Sequence, residues 1–120
     1  MSLIVVGLNH KTASIDIREK MSIAQGDIDN VVSEICRHKS VHACVIVSTC
    51  NRTEFYMSAQ SNDDATQVFC DWFGFEFNTI KNHLYIKTKL SCIEHLFCVS
   101  SGLDSMVLGE AQILGHVKSS

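Results

Sequence analysis

The run Ser48-Thr49-Cys50-Asn51-Arg52-Thr53-Glu54 holds a cysteine ringed by hydroxyl, amide and charged side chains, in the gap between two apolar runs. The thiolate is the nucleophilic form of cysteine, and at neutral pH an unperturbed thiol is only slightly ionised. A reactive cysteine therefore wants exposure, nearby positive charge and donors for a developing oxyanion. Arg52 lies two positions on, Thr49 and Asn51 flank the thiol, and turn amides surround it. Of the six cysteines (36, 44, 50, 70, 92 and 98), the other five each have an apolar neighbour. They read as small buried hydrophobes. The competing reading of Cys50 is a free thiol at a strand end, with Asn51 simply making the turn. The wholly polar setting favours the reactive reading.

A proton-transfer partner would ordinarily be a histidine. His38 and His42 flank a strand and read as surface residues, and His10 and His83 fall in loops. His95 sits one turn into a helix opened by Ser91-Cys92-Ile93-Glu94, a capping box of the S-x-x-E type. Assigning Ile93, Leu96 and Phe97 to the core puts His95 off that face. Sequence alone does not bring it to Cys50.

The elements that must position these groups follow from periodicity. Leu3 to Val6 reads as a buried strand ended by Gly7, with a polar loop after it. Ser22 to Gln25 is a possible capping box, with Asp27 an equal start, for a helix whose apolar face is Ile28, Val31, Val32, Ile35 and Cys36. Val41 to Ser48 is rich in β-branched residues, and Arg52 to Ala59 alternates as a half-buried strand with Glu54 and Tyr56 on its polar side. Their short separation makes them antiparallel neighbours with Cys50 at the sheet end. Ala65, Val68, Phe69, Trp72 and Phe73 mark a second helix after Asp63-Asp64, and Leu84 to Thr88 a last strand. Further helices are expected beyond residue 91, the last carrying Glu110 to Leu114. The order β-α-β-β-α-β predicts an α+β domain of the ferredoxin-like, split βαβ type, with packed helices and C-terminal helices after the sheet.

Other function classes find no support. At 120 residues one domain is expected, and a net charge of −3 carries no signature of a nucleic-acid binder. No C-x-x-C pair suggests zinc or thioredoxin chemistry, and no metal site is expected. No G-x-G-x-x-G or Walker motif follows a strand, so no nucleotide site is read. The start lacks a basic lead-in and a long apolar run, and no stretch reaches membrane-spanning length. A cytoplasmic protein without membrane contact is expected.

Three segments carry a resemblance. Gly7-Leu8-Asn9-His10-Lys11-Thr12-Ala13, Ser48 to Glu54, and the run from Ser101 to Gly115 (S-G-L-D-S-M-V-L-G-E-A-Q-I-L-G) are similar in order and spacing to glutamyl-tRNA reductase. The resemblance covers residues 1–120 and corresponds to that family's N-terminal catalytic domain, with the NADPH-binding and dimerisation domains expected to lie outside the chain. It implies the first step of C5-pathway tetrapyrrole (porphyrin and haem) synthesis. A cysteine takes glutamate from glutamyl-tRNA as a thioester, and NADPH reduces the thioester to glutamate-1-semialdehyde. Carried over by position, the resemblance makes Cys50 the nucleophile and His95 a proton-transfer residue. Thr49, Asn51, Arg52, Ser105, Glu110, Ala111, Gln112 and His116 become substrate contacts, with Arg52 suited to a carboxylate. NADPH, a homodimer of the longer enzyme and a glutamate-1-semialdehyde aminotransferase partner are implied in the same way.

The chain departs from the family pattern at Ser14 and Ala111, where proline is usual, and at His116, where glutamine is usual. Neither Cys50 nor Arg52 is touched. Two other readings are carried forward. One is a cysteine-dependent esterase acting on aminoacyl-tRNA, which would release free glutamate. The other is a non-catalytic interaction module, in which Cys50 alkylates no faster than a model thiol.

Overall fold

Residues 4–8 are all buried, and this places β1 (Ser2–Asn9) in the middle of a sheet, covered on both faces. The computed structural model describes residues 1–89 and 91–95. β1 pairs antiparallel with β3 (Arg52–Ala59) on one side and β4 (Tyr85–Thr88) on the other, and β2 (Val41–Ser48) pairs with β3 at the edge. The order β2-β3-β1-β4, antiparallel at every pairing, together with the packed helices gives the α+β class that the sequence predicts. β1 runs past Gly7 to Asn9, further than the apolar run suggests, because Leu8 and Asn9 stay in register with Thr53 and Arg52.

One face of the sheet carries the main core. Ile4, Val6, Leu8, Cys44, Ile46, Phe55 and Met57 pack there against α2 (Ile28–Ile35) and α3 (Asn62–Phe73). The apolar face expected for α2 is the buried one. Its entry differs: a 3₁₀ turn over Gln25–Asp27 precedes it, and the Ser22 hydroxyl donates to Glu19 O instead of capping it. α3 starts on Ser61, whose hydroxyl accepts from the Asp64 amide, and ends in a Schellman motif on Gly74 at φ 73°. Trp72, expected in the core, is exposed, and Thr66 and Cys70 are buried in its stead. Phe55 and Phe69 meet edge to face at 4.8 Å. Two short helices, α1 (Ile15–Lys20) and α4 (Phe77–Ile80), were not expected.

The opposite face is covered as well, which corrects the half-buried reading of β3. Val5, Val47, Tyr56 and Cys92 form a second cluster, with Cys92 coming from the helical residues 91–95. Glu54 and Tyr56, placed on a polar side by alternation alone, are buried beneath it. The C-terminal helices expected beyond residue 95 lie outside the described residues.

Gly7 is what lets this second face close. The cross-strand row reads Val47, Glu54, Gly7, Tyr85. A Cβ on Gly7 would stand 2.7 Å from Thr53 O and 2.8 Å from Glu54 Cγ, so the bare glycine lets the Glu54 side chain lie across β1. Gly7→Ala should cost about 1–3 kcal/mol through overpacking, seen as a lowered melting temperature in thermal denaturation. An unchanged melting temperature would contradict this packing.

Candidate functional site

Cys50 sits at the tip of the β2–β3 hairpin, where the turn is built by its own polar residues. The Thr49 amide donates to Arg52 O at 2.8 Å, and the Asn51 amide donates to Thr49 Oγ1 at 3.2 Å. Two of the turn amides expected to steady an oxyanion are therefore committed within the turn. Two further contacts tie the hairpin end down: Arg18 Nη1 of α1 donates to Cys50 O at 2.8 Å, and Gln25 Nε2 donates to Ser48 O at 2.8 Å. Among the five described cysteines Cys50 is the exposed one, as the sequence expects, while Cys44, Cys70 and Cys92 are buried. Cys50 borders a cleft of about 470 Å³ between the hairpin end and the α1 to 3₁₀ segment, lined by Ile15, Arg18, Ile23 and Ala24 among others.

On the far face of the sheet lies a cluster that alternation hid. Glu54 is fully buried and gathers three neighbours onto its carboxylate. Tyr56 Oη donates to Oε1 at 3.1 Å, Tyr85 Oη donates to Oε2 at 2.5 Å, and His95 Nε2 also meets Oε2. Arg52 Nη1 stands 3.7 Å from the same Oε2. A carboxylate only accepts, so His95 Nε2 is the nitrogen that carries hydrogen towards it and Nδ1 is the one left over. This overturns the face assigned to the 91–95 helix. Cys92 and His95, three residues apart, turn to the sheet, and Ile93 is exposed at 40%. A buried carboxylate needs partners, and that requirement outweighs the apolar preference of Ile93.

Burial in this cluster sets a pH limit. Burial, and next the negative charge of Glu54, pushes the Cys92 thiol up from its ordinary 9.0 to about 11. Burial also raises Cys44, Tyr56 and Tyr85, with Glu54 adding to the rise of both tyrosines. A raised pKa means that the folded state keeps its proton where the unfolded chain has lost it. That contribution is complete below pH 9.0 and lost as the pH climbs through about 11. Urea denaturation should show stability falling across this window, and Cys92→Ala should soften the fall. A level curve would contradict the buried neutral thiol.

The structure brings Thr49, Cys50, Asn51 and Arg52 together at one hairpin end, and links His95 to them through Glu54 and Arg52. Ser105, Glu110, Ala111, Gln112 and His116 lie outside the described residues. Sequence reasoning missed Arg18 and Glu54. The signal for Arg18 was faint: Asp16 early and Arg18 and Lys20 late suit the dipole of a short helix over 15–20. Nothing local marks Glu54, because its burial depends on a helix more than thirty residues away. Among the described residues no group of His, Cys, Asp or Glu could hold a metal ion, and no helix is long and apolar enough to cross a membrane.

Residues 6–120 match the family described as glutamyl-tRNAGlu reductase, N-terminal domain. A glutamyl-tRNA reductase of Brevibacillus brevis is 47% identical over 98% of this chain, and one of Carboxydothermus hydrogenoformans is 43% identical over 98%. The chain spans 27% of the length of each of these relatives. Among solved structures, the glutamyl-tRNA reductase of Methanopyrus kandleri superposes with a TM-score of 0.63 at 31% identity, covering 98% of this chain and 26% of that one.

Proposed function

The chain belongs to the family of glutamyl-tRNA reductase N-terminal domains, and from that membership we propose that it performs the acyl-transfer half of that enzyme's reaction. Glutamyl-tRNA is the substrate. The Cys50 thiolate attacks the ester carbonyl carbon, and the bond from that carbon to the terminal ribose oxygen breaks. The thiol proton ends on the departing ribose oxygen. The products are a Cys50 glutamyl thioester and free tRNA. The observation that carries this reading is the exposed thiol on a turn held rigid by Arg18 and Gln25, with Arg52 two residues on.

Each neighbour has a role in this reading. The inner edge of Arg52 faces Glu54, which leaves its outer edge for the substrate carboxylate. Thr49 and Asn51 shape the turn that presents the thiol. His95, held on Glu54 through Nε2, has Nδ1 to exchange the proton.

NADPH, which the family implies, does not fit the described residues. Among the described residues every strand pairing is antiparallel, so they form no parallel βαβ crevice with a glycine-rich turn to seat a dinucleotide. The proposal for this chain therefore stops at the thioester. A homodimer, an aminotransferase that consumes the semialdehyde, and a cytoplasmic location belong to the same reading, extended to the longer reductase. The test is mass spectrometry of the purified protein after incubation with glutamyl-tRNA. One glutamyl group mapping to Cys50 is expected; a glutamyl group on another cysteine, or on none, sinks the proposal.

A further inference from the structure

We infer that the cleft beside Cys50 is the seat of the 3′-terminal nucleoside of the charged tRNA, an inference that rests on the acyl-transfer reading above. The attacked carbonyl carbon has two arms: the glutamyl chain, and the ribose attached through one ester oxygen. When Sγ comes within about 3–3.5 Å of that carbon, the ribose must lie against whatever borders the thiol. The hairpin end divides the space around Cys50 into two sides. Arg52, Glu54 and His95 occupy one face of the sheet. Ser48 points to the other face, where its Oγ accepts from the Ile23 amide and faces Thr53 Oγ1 at 3.2 Å. With the glutamyl carboxylate drawn to Arg52, the ribose and its base are directed to the Ser48 side, where the cleft opens.

The cleft suits a nucleoside. Its volume of about 470 Å³ lies within the range of small-molecule sites. Ile15, which lines it, is 60% exposed, an apolar surface on which a base can stack. Arg18 and Glu19 balance each other in the lining, so the cleft is neutral overall and favours a ring with one phosphate over a polyphosphate. Arg18 uses one of its N–H donors on Cys50 O, and its Nε has no partner among the described residues. The Nε is buried, so the donor left for the phosphodiester on the 5′ side of the terminal nucleoside is Nη2, while Nη1 still holds the turn.

The experiment compares two acyl donors on the purified protein: glutamyl-tRNA, and a glutamyl methyl thioester, whose leaving group is too small to fill the cleft. Ala24 lines the cleft and is exposed, so Ala24→Trp fills the site without disturbing the core. Acylation of Cys50 by glutamyl-tRNA should fall about tenfold or more in Ala24→Trp, the loss expected when one base contact is removed. Acylation by the methyl thioester should stay unchanged. Equal rates from glutamyl-tRNA in both proteins overturn the inference, and equal losses from both donors overturn it too, because a general defect then explains them. A second measurement stands apart from the chemistry. Titration with 3′-deoxy-3′-glutamylamido-adenosine, which cannot transfer its acyl group, should shift the NMR signals of Ile15 and Ala24. If glutamyl-tRNA fails to acylate the wild-type protein but those signals shift, the acyl-transfer reading fails and the nucleoside site stands. If they do not shift, the nucleoside site fails.

Discussion

Glu54→Ala is expected to remove about 3–5 kcal/mol of folding stability, the usual penalty for deleting one partner of a buried charged set. The carboxylate is fully buried and meets Tyr56, Tyr85 and His95, with Arg52 at 3.7 Å. Alanine would leave the buried Tyr56 hydroxyl, the half-buried Tyr85 hydroxyl and an imidazole without their carboxylate acceptor, and a cavity where the side chain lay across Gly7. Since domains of this size are stable by about 5–15 kcal/mol, much of the native margin would go. Glu54→Gln should cost less, about 1–3 kcal/mol, because its one carbonyl oxygen still accepts while the amide group faces a hydroxyl able to accept from it. Tyr85→Phe should cost only about 1 kcal/mol, since it removes one donor and leaves the carboxylate other partners. Urea denaturation of the three variants should return the order Ala, Gln, Phe from most to least destabilised. An alanine variant within about 1 kcal/mol of wild type would mean that the cluster is not closed in solution.

What could be read from the sequence was what period and local chemistry determine. The apolar face of α2, the four strand runs and the exposure of Cys50 all follow from spacing within a dozen residues. The hairpin end was legible for the same reason, because Thr49 and Asn51 build it from their own side chains and amides. Glu54 was not legible. Alternation assigns it to the side opposite Phe55, and that is correct; whether that side is wet depends on Cys92 and His95 arriving from the 91–95 helix. His95 was misassigned by the same omission, since the pull of a buried carboxylate is invisible in the run around the histidine itself. Arg18 lay in a six-residue helix with no side-chain cap and no buried residue, too weak a pattern to read. Its partner, the Cys50 carbonyl, is 32 residues away. Long-range polar contacts and the two short helices, α1 and α4, were the part that sequence could not supply.

Cys50→Ser is expected to abolish glutamyl transfer while leaving the fold as stable as before. Cys50 is exposed, and its contact with Arg18 runs through its backbone carbonyl, which serine keeps. Stability should therefore change by no more than about 0.5 kcal/mol. Serine nevertheless loses the chemistry, because a hydroxyl is almost wholly protonated at neutral pH where a thiol is partly ionised. Transfer from glutamyl-tRNA should fall by about 10³-fold or more, the scale seen when a nucleophile is removed. Cys44→Ser supplies the converse. That thiol is buried in the main core, so a hydroxyl there should lower stability while Cys50 still accepts the glutamyl group. The two variants separate an acyl-transfer domain from an interaction module, because a module with structural cysteines would lose stability at Cys44 and nothing measurable at Cys50. They also separate ester cleavage through a Cys50 thioester, which a cysteine-dependent esterase shares, from cleavage that does not use Cys50. If free glutamate forms through the thioester, its release must vanish with Cys50→Ser; release that survives the substitution places ester cleavage elsewhere and removes Cys50 from the reaction.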